Sequence, residues 1–178
     1  MEKIVLGLFF IFFTTNVSFV DTGIVFYVTN VIGYLSMYVG VRELHLQSDQ
    51  FKRIRLWIGF MLAHSVFFVV LNGTGNSIQT HALSTFSSSF VGFFLLALAL
   101  VGMSIIFYIL HLLLQEGIFA KVDRLVGGVF ATFIVAGICF FVTPSYAFLP
   151  MIVLLLLEAV LLIRMYATIQ QQKVISAQ

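Results

Sequence analysis

The chain has 178 residues, of which 61% are hydrophobic and 9% are charged, and its formal net charge is +2. Soluble domains carry about 25% charged residues, and a chain of this length cannot hide so much apolar surface from water. Composition therefore excludes an ordinary soluble protein, and the small net charge gives no support to a nucleic-acid partner. We predict an all-α polytopic bundle of transmembrane helices that forms a single integral membrane domain over residues 1–178.

Six apolar stretches follow one another along the chain, separated by short polar connections. They predict six transmembrane spans, at residues of about 4–20, 24–41, 56–71, 90–114, 125–142 and 150–167. The first stretch follows Lys3 and also fits the charged and apolar regions of a secretory signal peptide. It lacks an Ala-x-Ala cleavage site, so we favour an uncleaved span and keep cleavage as the alternative.

Small residues recur at helical spacing in the second and fifth stretches. The two sets are Gly33, Ser36 and Gly40, and Gly128, Thr132 and Ala136. Residues three or four positions apart lie on one face of a helix, and small side chains on that face allow a second helix to approach closely. We therefore expect both faces to be buried against other helices.

The second stretch also carries a polar and aromatic side. Asn30, Tyr34 and Tyr38 follow each other at four-residue spacing, preceded by Tyr27 and followed by His45. One interpretation is that the tyrosines anchor the helix at the membrane interface and form hydrogen bonds between helices. The other is that this side lines a groove for a ligand or for water.

The distribution of basic residues predicts how the chain crosses the membrane. If six spans alternate, the basic residues all fall on one side: Lys3, those of the charged run at 42–55, Lys121, Arg124, Arg164 and Lys173. The opposite connections, at residues 21–23, 72–89 and 143–149, contain no Lys or Arg. Positive residues stay on the cytoplasmic side, so we predict a cytoplasmic-membrane protein with both termini inside.

Three ionisable side chains fall at membrane depth, namely Glu158, His64 and His111. Such groups are costly in lipid and often belong to functional sites. With Tyr34, Tyr38 and Asn30, they are the residues that we expect to converge on a polar cavity open to the cytoplasm. The alternative is that a neighbouring helix satisfies each group, which then contributes only to packing.

Sequence patterns of known catalytic and metal sites are missing. The chain contains no HExxH, GxSxG or phosphate-binding loop, and its single cysteine, Cys139, lies inside an apolar run. The four histidines, at positions 45, 64, 81 and 111, fall on separate segments. We therefore predict no enzymatic activity, no metal ion and no cofactor.

Two resemblances bear on the origin and class of the protein. The run from Asn30 to Tyr34 (NVIGY), followed by Tyr38, Gly40 and the Phe51-Lys52 pair, resembles the front part of small uncharacterised multi-pass membrane proteins of Gram-positive bacteria. The resemblance covers about a quarter of the chain and implies a bacterial cytoplasmic membrane.

Size and number of spans are also similar to those of the substrate-binding components of energy-coupling-factor vitamin transporters. Their AxxxA docking signature is missing here, because the first span contains no alanine.

Three hypotheses of function follow. The favoured one is a non-enzymatic membrane subunit or regulatory protein that acts through helix contacts with another membrane protein or a second copy of itself. The alternative is a small transporter or solute-binding component that uses the polar cavity. An intramembrane enzyme is the least favoured. The lipid bilayer is the partner common to all three.

Overall fold

The computed structural model describes residues 1–17, 24–44, 49–75, 86–116, 119, 122–146 and 148–176. These residues form six α-helices and no strand. The helices are α1 (Glu2–Val17), α2 (Ile24–Glu43), α3 (Asp49–Gly73), α4 (Phe86–Gln115), α5 (Asp123–Val142) and α6 (Phe148–Ser176), with a 3-10 turn at Pro144–Tyr146. The all-α class predicted from the sequence is confirmed for this part of the chain.

The six helices form a closed ring in chain order. Each helix contacts the next one along the chain, and α6 returns to contact α1. Within the described ranges, no two helix backbones approach each other across the ring, and contacts there are made by side chains, such as the rings of Phe12 in α1 and Phe107 in α4. The interior is therefore enclosed by all six helices and filled by their inward-facing side chains.

Several charged residues lie together at one end of the ring, which we call the charged end. Lys3 at the start of α1 forms an ion pair with Glu43 at the end of α2. The amide of Gln170 in α6 donates a hydrogen bond of 3.5 Å to Glu2. The start of α1 and the far ends of α2 and α6 therefore lie together, as expected when successive helices reverse direction.

Helices α1 and α2 pack closely through glycine. A Cβ atom added at Gly33 would lie 2.8 Å from the carbonyl oxygen of Gly7, and one added at Gly40 would lie 2.9 Å from the backbone nitrogen of Ile4. The Ser36 hydroxyl donates a hydrogen bond of 2.8 Å to the carbonyl oxygen of Lys3. The small face predicted on the second stretch thus lies directly against α1, where backbone meets backbone.

The small face predicted on the fifth stretch does not form such a contact. Ala136 is fully buried. Gly128 is only half-buried, however, and a Cβ atom added there would meet nothing within 4 Å. Thr132 donates a hydrogen bond to the carbonyl oxygen of Gly128 in its own helix. The expectation that all three residues are buried against another helix is wrong, because the face turns partly outward.

The outer surface of the ring is strongly apolar. Large hydrophobic side chains are exposed on every helix, with examples in Val25 of α2, Leu56 of α3, Phe90 of α4, Ile138 of α5 and Ile163 of α6. Exposed apolar area on this scale is typical of a surface that faces lipid. Three described segments are long and apolar enough to cross a membrane, namely Ile24–Glu43, Asp49–Gly73 and Phe148–Gln171.

Helices α2 to α6 are longer than the apolar stretches that predicted them. Each stretch falls within one helix, except that residues 18–20 of the first lie outside the described part of the chain. The charged run at 42–55 is mostly helical, and its basic residues Lys52, Arg53 and Arg55 lie in the first two turns of α3. Residues 21–23, 45–48 and 76–85, which include His45 and His81, are outside the described residues.

Candidate functional site

A small cavity lies inside the ring, and all six helices contribute to its wall. Its volume is about 30 Å³, which is room for roughly two water molecules. Asn30 on its wall lies 13 residues before the end of α2 at Glu43, or about 20 Å from the charged end along the helix. The cavity is therefore deep inside the apolar part of the bundle.

Polar side chains on three helices line this cavity. Asn30 and Tyr34 come from α2, His64 and Ser65 from α3, and Glu158 from α6. Asn30 is 8% exposed and Glu158 is 3% exposed, so both are almost completely removed from solvent. Polar groups at this depth are found where they face a protein interior rather than lipid.

The contacts of His64 define which of its nitrogen atoms carries the proton. Nε2 lies 3.2 Å from the carbonyl oxygen of Leu98 in α4, and since a carbonyl only accepts, Nε2 must carry the proton of that hydrogen bond. Nδ1 of a neutral imidazole is then an acceptor. It is buried and has no hydrogen-bond partner among the described residues.

A glycine on α4 makes room for the imidazole. A Cβ atom added at Gly102 would lie 2.6 Å from Cε1 and 2.9 Å from Nε2 of His64, so no larger residue fits without moving the ring. The imidazole also lies 4.9 Å from the ring of Phe68, measured between centroids. The position of His64 is thus fixed by packing against two residues and by one hydrogen bond.

Unsatisfied acceptors are concentrated in this cavity. Asn30 Oδ1, like His64 Nδ1, is buried without a hydrogen-bond partner in the described part of the protein. The Ser65 hydroxyl donates its proton to the carbonyl oxygen of Met61 over 2.9 Å, which leaves its oxygen lone pairs available. An unmet buried polar group costs about 1–3 kcal/mol, so a molecule that donates hydrogen bonds here would be stabilised.

The rest of the cavity wall is apolar and largely aromatic. Phe107 of α4 lies 5.4 Å from Phe133 of α5 and 6.5 Å from Phe12 of α1, measured between ring centroids. All three rings line the cavity. Aromatic walls around a few polar groups are typical of small-molecule sites.

Apolar layers lie on both sides of the cavity along the axis of the ring. Toward the charged end, the interior is filled by fully buried side chains: Ile4, Leu8, Met37, Ile54, Ile58, Ile109, Leu110 and Leu113. Toward the opposite end, a smaller cluster of Phe26, Tyr27, Phe68 and Leu95 joins α2, α3 and α4. The cavity therefore does not open toward the charged end, contrary to the expectation from the sequence, because branched aliphatic side chains pack that half of the ring.

The structure brings together four of the six predicted site residues. Asn30, Tyr34, His64 and Glu158 line one cavity. Tyr38 and His111 do not reach it, and both are exposed on the outer surface.

The reason differs between Tyr38 and His111. Near the charged end, α2 turns Gly40 toward α1, which leaves Tyr38 facing outward. His111 lies on the exposed side of α4, where its Nε2 is 3.0 Å from the amide nitrogen of Gln115. The placement of these two residues in the cavity was wrong.

Two residues of the site could not be predicted as site residues from the sequence. Ser65 follows His64 directly, and the apolar pattern around it gave no reason to single it out. Gly102 matters only because α4 lies beside α3, and a single sequence does not show which helices are neighbours. No group of three or more His, Cys, Asp or Glu side chains that could hold a metal ion exists among the described residues.

Comparison with known proteins adds no identity to these observations. Searches with protein-family models, against curated proteins and against solved structures gave no match to this chain.

Proposed function

We propose that this chain is a multi-pass integral membrane protein with six spans and both termini on the cytoplasmic side. Three helices of sufficient length and the apolar outer surface support membrane insertion. The asymmetry of Lys and Arg between the two sets of connections supports the orientation. Reporter fusions at residue 80 and residue 120 test the threading. The proposal requires them on opposite sides of the membrane, and finding both on one side would contradict it.

We further propose that the protein is a non-enzymatic small transporter or solute-binding membrane component, and that its site is the central cavity. The observation that carries this proposal is the pair of unmet acceptors, Asn30 Oδ1 and His64 Nδ1, in a buried cavity that Glu158 also lines. Packing alone does not explain them, because apolar side chains of the same size would cost less in a protein interior.

The cavity favours a ligand of the size and chemistry of ammonium. A volume of about 30 Å³ excludes sugars, vitamins and peptides. Ammonium donates up to four hydrogen bonds, which suits an amide oxygen, an imidazole nitrogen and a hydroxyl oxygen, while the carboxyl group of Glu158 can balance its charge. Hard alkali cations prefer oxygen ligands, so the imidazole nitrogen makes Na⁺ and K⁺ less suitable.

Ligand-induced stabilisation of the purified protein in detergent tests this function. Ammonium chloride is expected to raise the thermal unfolding midpoint, whereas tetramethylammonium chloride, which is larger and donates no hydrogen bond, is expected to leave it unchanged at equal ionic strength. Asn30→Leu and Glu158→Gln should abolish the effect of ammonium. His111→Ala is the matched control for His64→Ala, because His111 is exposed outside the ring.

Flux measurements then separate binding from transport. Proteoliposomes that contain the protein should admit ammonium faster than empty vesicles, and the Asn30→Leu variant should not. Equal stabilisation by ammonium and tetramethylammonium, or a response that survives Asn30→Leu, would contradict the proposed site.

A second candidate function, a membrane subunit that binds a partner helix, is favoured by the outward face of α5. Cβ atoms added at Gly127 or Gly128 would meet nothing within 4 Å, so another helix could approach closely there. Gly128→Leu should then abolish co-purification of a partner or a second copy from native membranes without unfolding the protein. An unchanged set of co-purified proteins would count against this function.

A further inference from the structure

A groove on the outer surface between α2 and α3 has a different character from the rest of the lipid-facing wall. Its volume is about 560 Å³, and its lining residues are Tyr38, Lys52, Arg55, Leu56, Gly59 and Phe60. The five residues from α3 are spaced by three, one, three and one positions, which places them on one face of that helix. Along this face two basic residues come first and three apolar ones follow.

The basic end of the groove carries the positively charged side chains of Lys52 and Arg55. Lys52 forms an ion pair of 2.8 Å with Asp49, but both side chains are largely exposed, so this pair is weak and easily exchanged. Arg55 is half-buried and forms no ion pair or hydrogen bond with any described residue. Its guanidinium group is therefore available to an anion that enters the groove.

The opposite end of the groove fits an acyl chain. Gly59 leaves open space, since an added Cβ atom would meet nothing within 4 Å, and Leu56 and Phe60 are exposed on either side of it. Gly59 lies seven residues beyond Lys52, which is about 10 Å further along the helix.

Neighbouring aromatic residues mark this level of the bundle as a membrane interface. Trp57 packs against Phe60 and Tyr108, with ring centroids 5.9 Å and 5.5 Å apart, and Tyr38 and Tyr108 are both exposed to the outside. Trp and Tyr are enriched at the depth of lipid headgroups. The basic end of the groove therefore lies where phosphate groups are found, and the apolar end reaches into the acyl-chain region.

We propose that this groove binds one anionic phospholipid, with the phosphate between Lys52 and Arg55 and an acyl chain over Gly59. Charge complementarity selects an anionic headgroup, and the apolar part of the groove selects a lipid over a soluble anion. Basic grooves at helix ends on the cytoplasmic side are a recurrent form of lipid recognition. The Tyr38 hydroxyl is a further donor at the edge of the same groove. This site is separate from the central cavity and does not depend on any ligand there.

The single tryptophan provides the test, because Trp57 lies beside the groove. Its fluorescence in mixed micelles is quenched by phospholipids with brominated acyl chains that bind next to it. Brominated phosphatidylglycerol is compared with brominated phosphatidylcholine, and the ratio of quenching gives the relative affinity. Each basic residue that contacts the bound headgroup contributes roughly a fivefold preference for anionic lipid. We expect phosphatidylglycerol to be preferred by roughly five- to thirtyfold.

Three variants distinguish the groove from general electrostatic attraction. Lys52→Gln combined with Arg55→Gln should reduce the preference to about one, whereas Arg53→Gln removes an exposed charge outside the groove and should preserve it. Gly59→Leu fills the groove without a clash and should lower quenching by both lipids. All of these positions are at least partly exposed, so the fold is expected to persist.

Three results would overturn the proposal. They are equal quenching by the two lipids in the natural protein, a loss of preference in Arg53→Gln as large as in the double variant, and displacement of the brominated lipid by millimolar glycerol phosphate. The last would show a site for a soluble phosphate ester instead of a lipid. Ammonium binding in the cavity is measured separately, so failure of either proposal leaves the other intact.

Discussion

Substituting Gly102 by alanine is expected to destabilise the protein through one contact, that with His64. The added Cβ atom would lie 2.6 Å from Cε1 of the imidazole, well inside the van der Waals distance. The imidazole also packs against Phe68 and is hydrogen-bonded to Leu98, so moving it away from the added Cβ atom would disturb these contacts. Overpacking costs about 1–3 kcal/mol, and the hydrogen bond contributes about 1 kcal/mol more.

The same substitution should be harmless once the imidazole is removed. In a His64→Ala background the clash no longer exists, and replacing glycine by alanine in a helix stabilises it by about 0.5–1 kcal/mol. The double-mutant cycle should therefore give a coupling energy of about 2–4 kcal/mol between positions 64 and 102. Gly127→Ala is the matched control, because an added Cβ atom meets nothing there.

Thermal unfolding in detergent measures the four variants of the cycle. A change of 1 kcal/mol shifts the midpoint by about 2–4 °C for a chain of this size. Gly102→Ala should lower the midpoint in the natural background and raise or preserve it in the His64→Ala background. An equal loss in both backgrounds would refute the reasoning, because the cost would then come from something other than the imidazole.

Two further predictions concern the contact between α1 and α2. Gly33→Ala places a Cβ atom 2.8 Å from the carbonyl oxygen of Gly7, and backbone cannot move aside as a side chain does. We therefore expect the unfolding free energy to fall by about 1–2 kcal/mol, which lowers the midpoint by about 2–8 °C. Gly137→Ala, which has open space, should leave the midpoint unchanged or raise it, and equal losses in the two variants would contradict the proposed crossing. Lys3→Gln removes the ion pair with Glu43, in which both side chains are about half exposed, so stability should fall by no more than about 1 kcal/mol. Adding 1 M salt should abolish the difference between Lys3→Gln and the natural protein, and a difference that persists would point to a contact other than charge.

The sequence was sufficient to predict the inward-facing polar groups deep in the bundle. Asn30, His64 and Glu158 lie near the middle of long apolar stretches, and lipid offers no hydrogen bonds at that depth. Such groups therefore have to face the interior, whatever the arrangement of the helices. This argument depends only on depth, which hydropathy gives directly.

The same argument fails near the ends of the helices. Tyr38 and His111 are within a few turns of the charged end, where headgroups and water can satisfy a polar side chain on the outer surface. Spacing along the helix indicated which residues share a side but not whether that side faces in or out. On α4, the polar side that ends at Gln115 is the outer one.

A single sequence also does not show which helices are neighbours in the bundle. The match between Gly102 and His64 exists because α3 and α4 are adjacent, and the open face at Gly128 exists because no described helix lies close to it. Both depend on the order of helices around the ring. A small-residue pattern predicts that close approach is possible, but it does not identify the partner.

The contact between α1 and α6 has a consequence for synthesis of the protein. Of these six helices, α1 is synthesised earliest and α6 latest, so the ring cannot close until α6 has left the ribosome. Glu158, on that final helix, is consequently the last polar group to arrive at the cavity. Until then five helices surround an incomplete site, and a nascent chain that stops before residue 148 has neither a closed wall nor the carboxyl group within it.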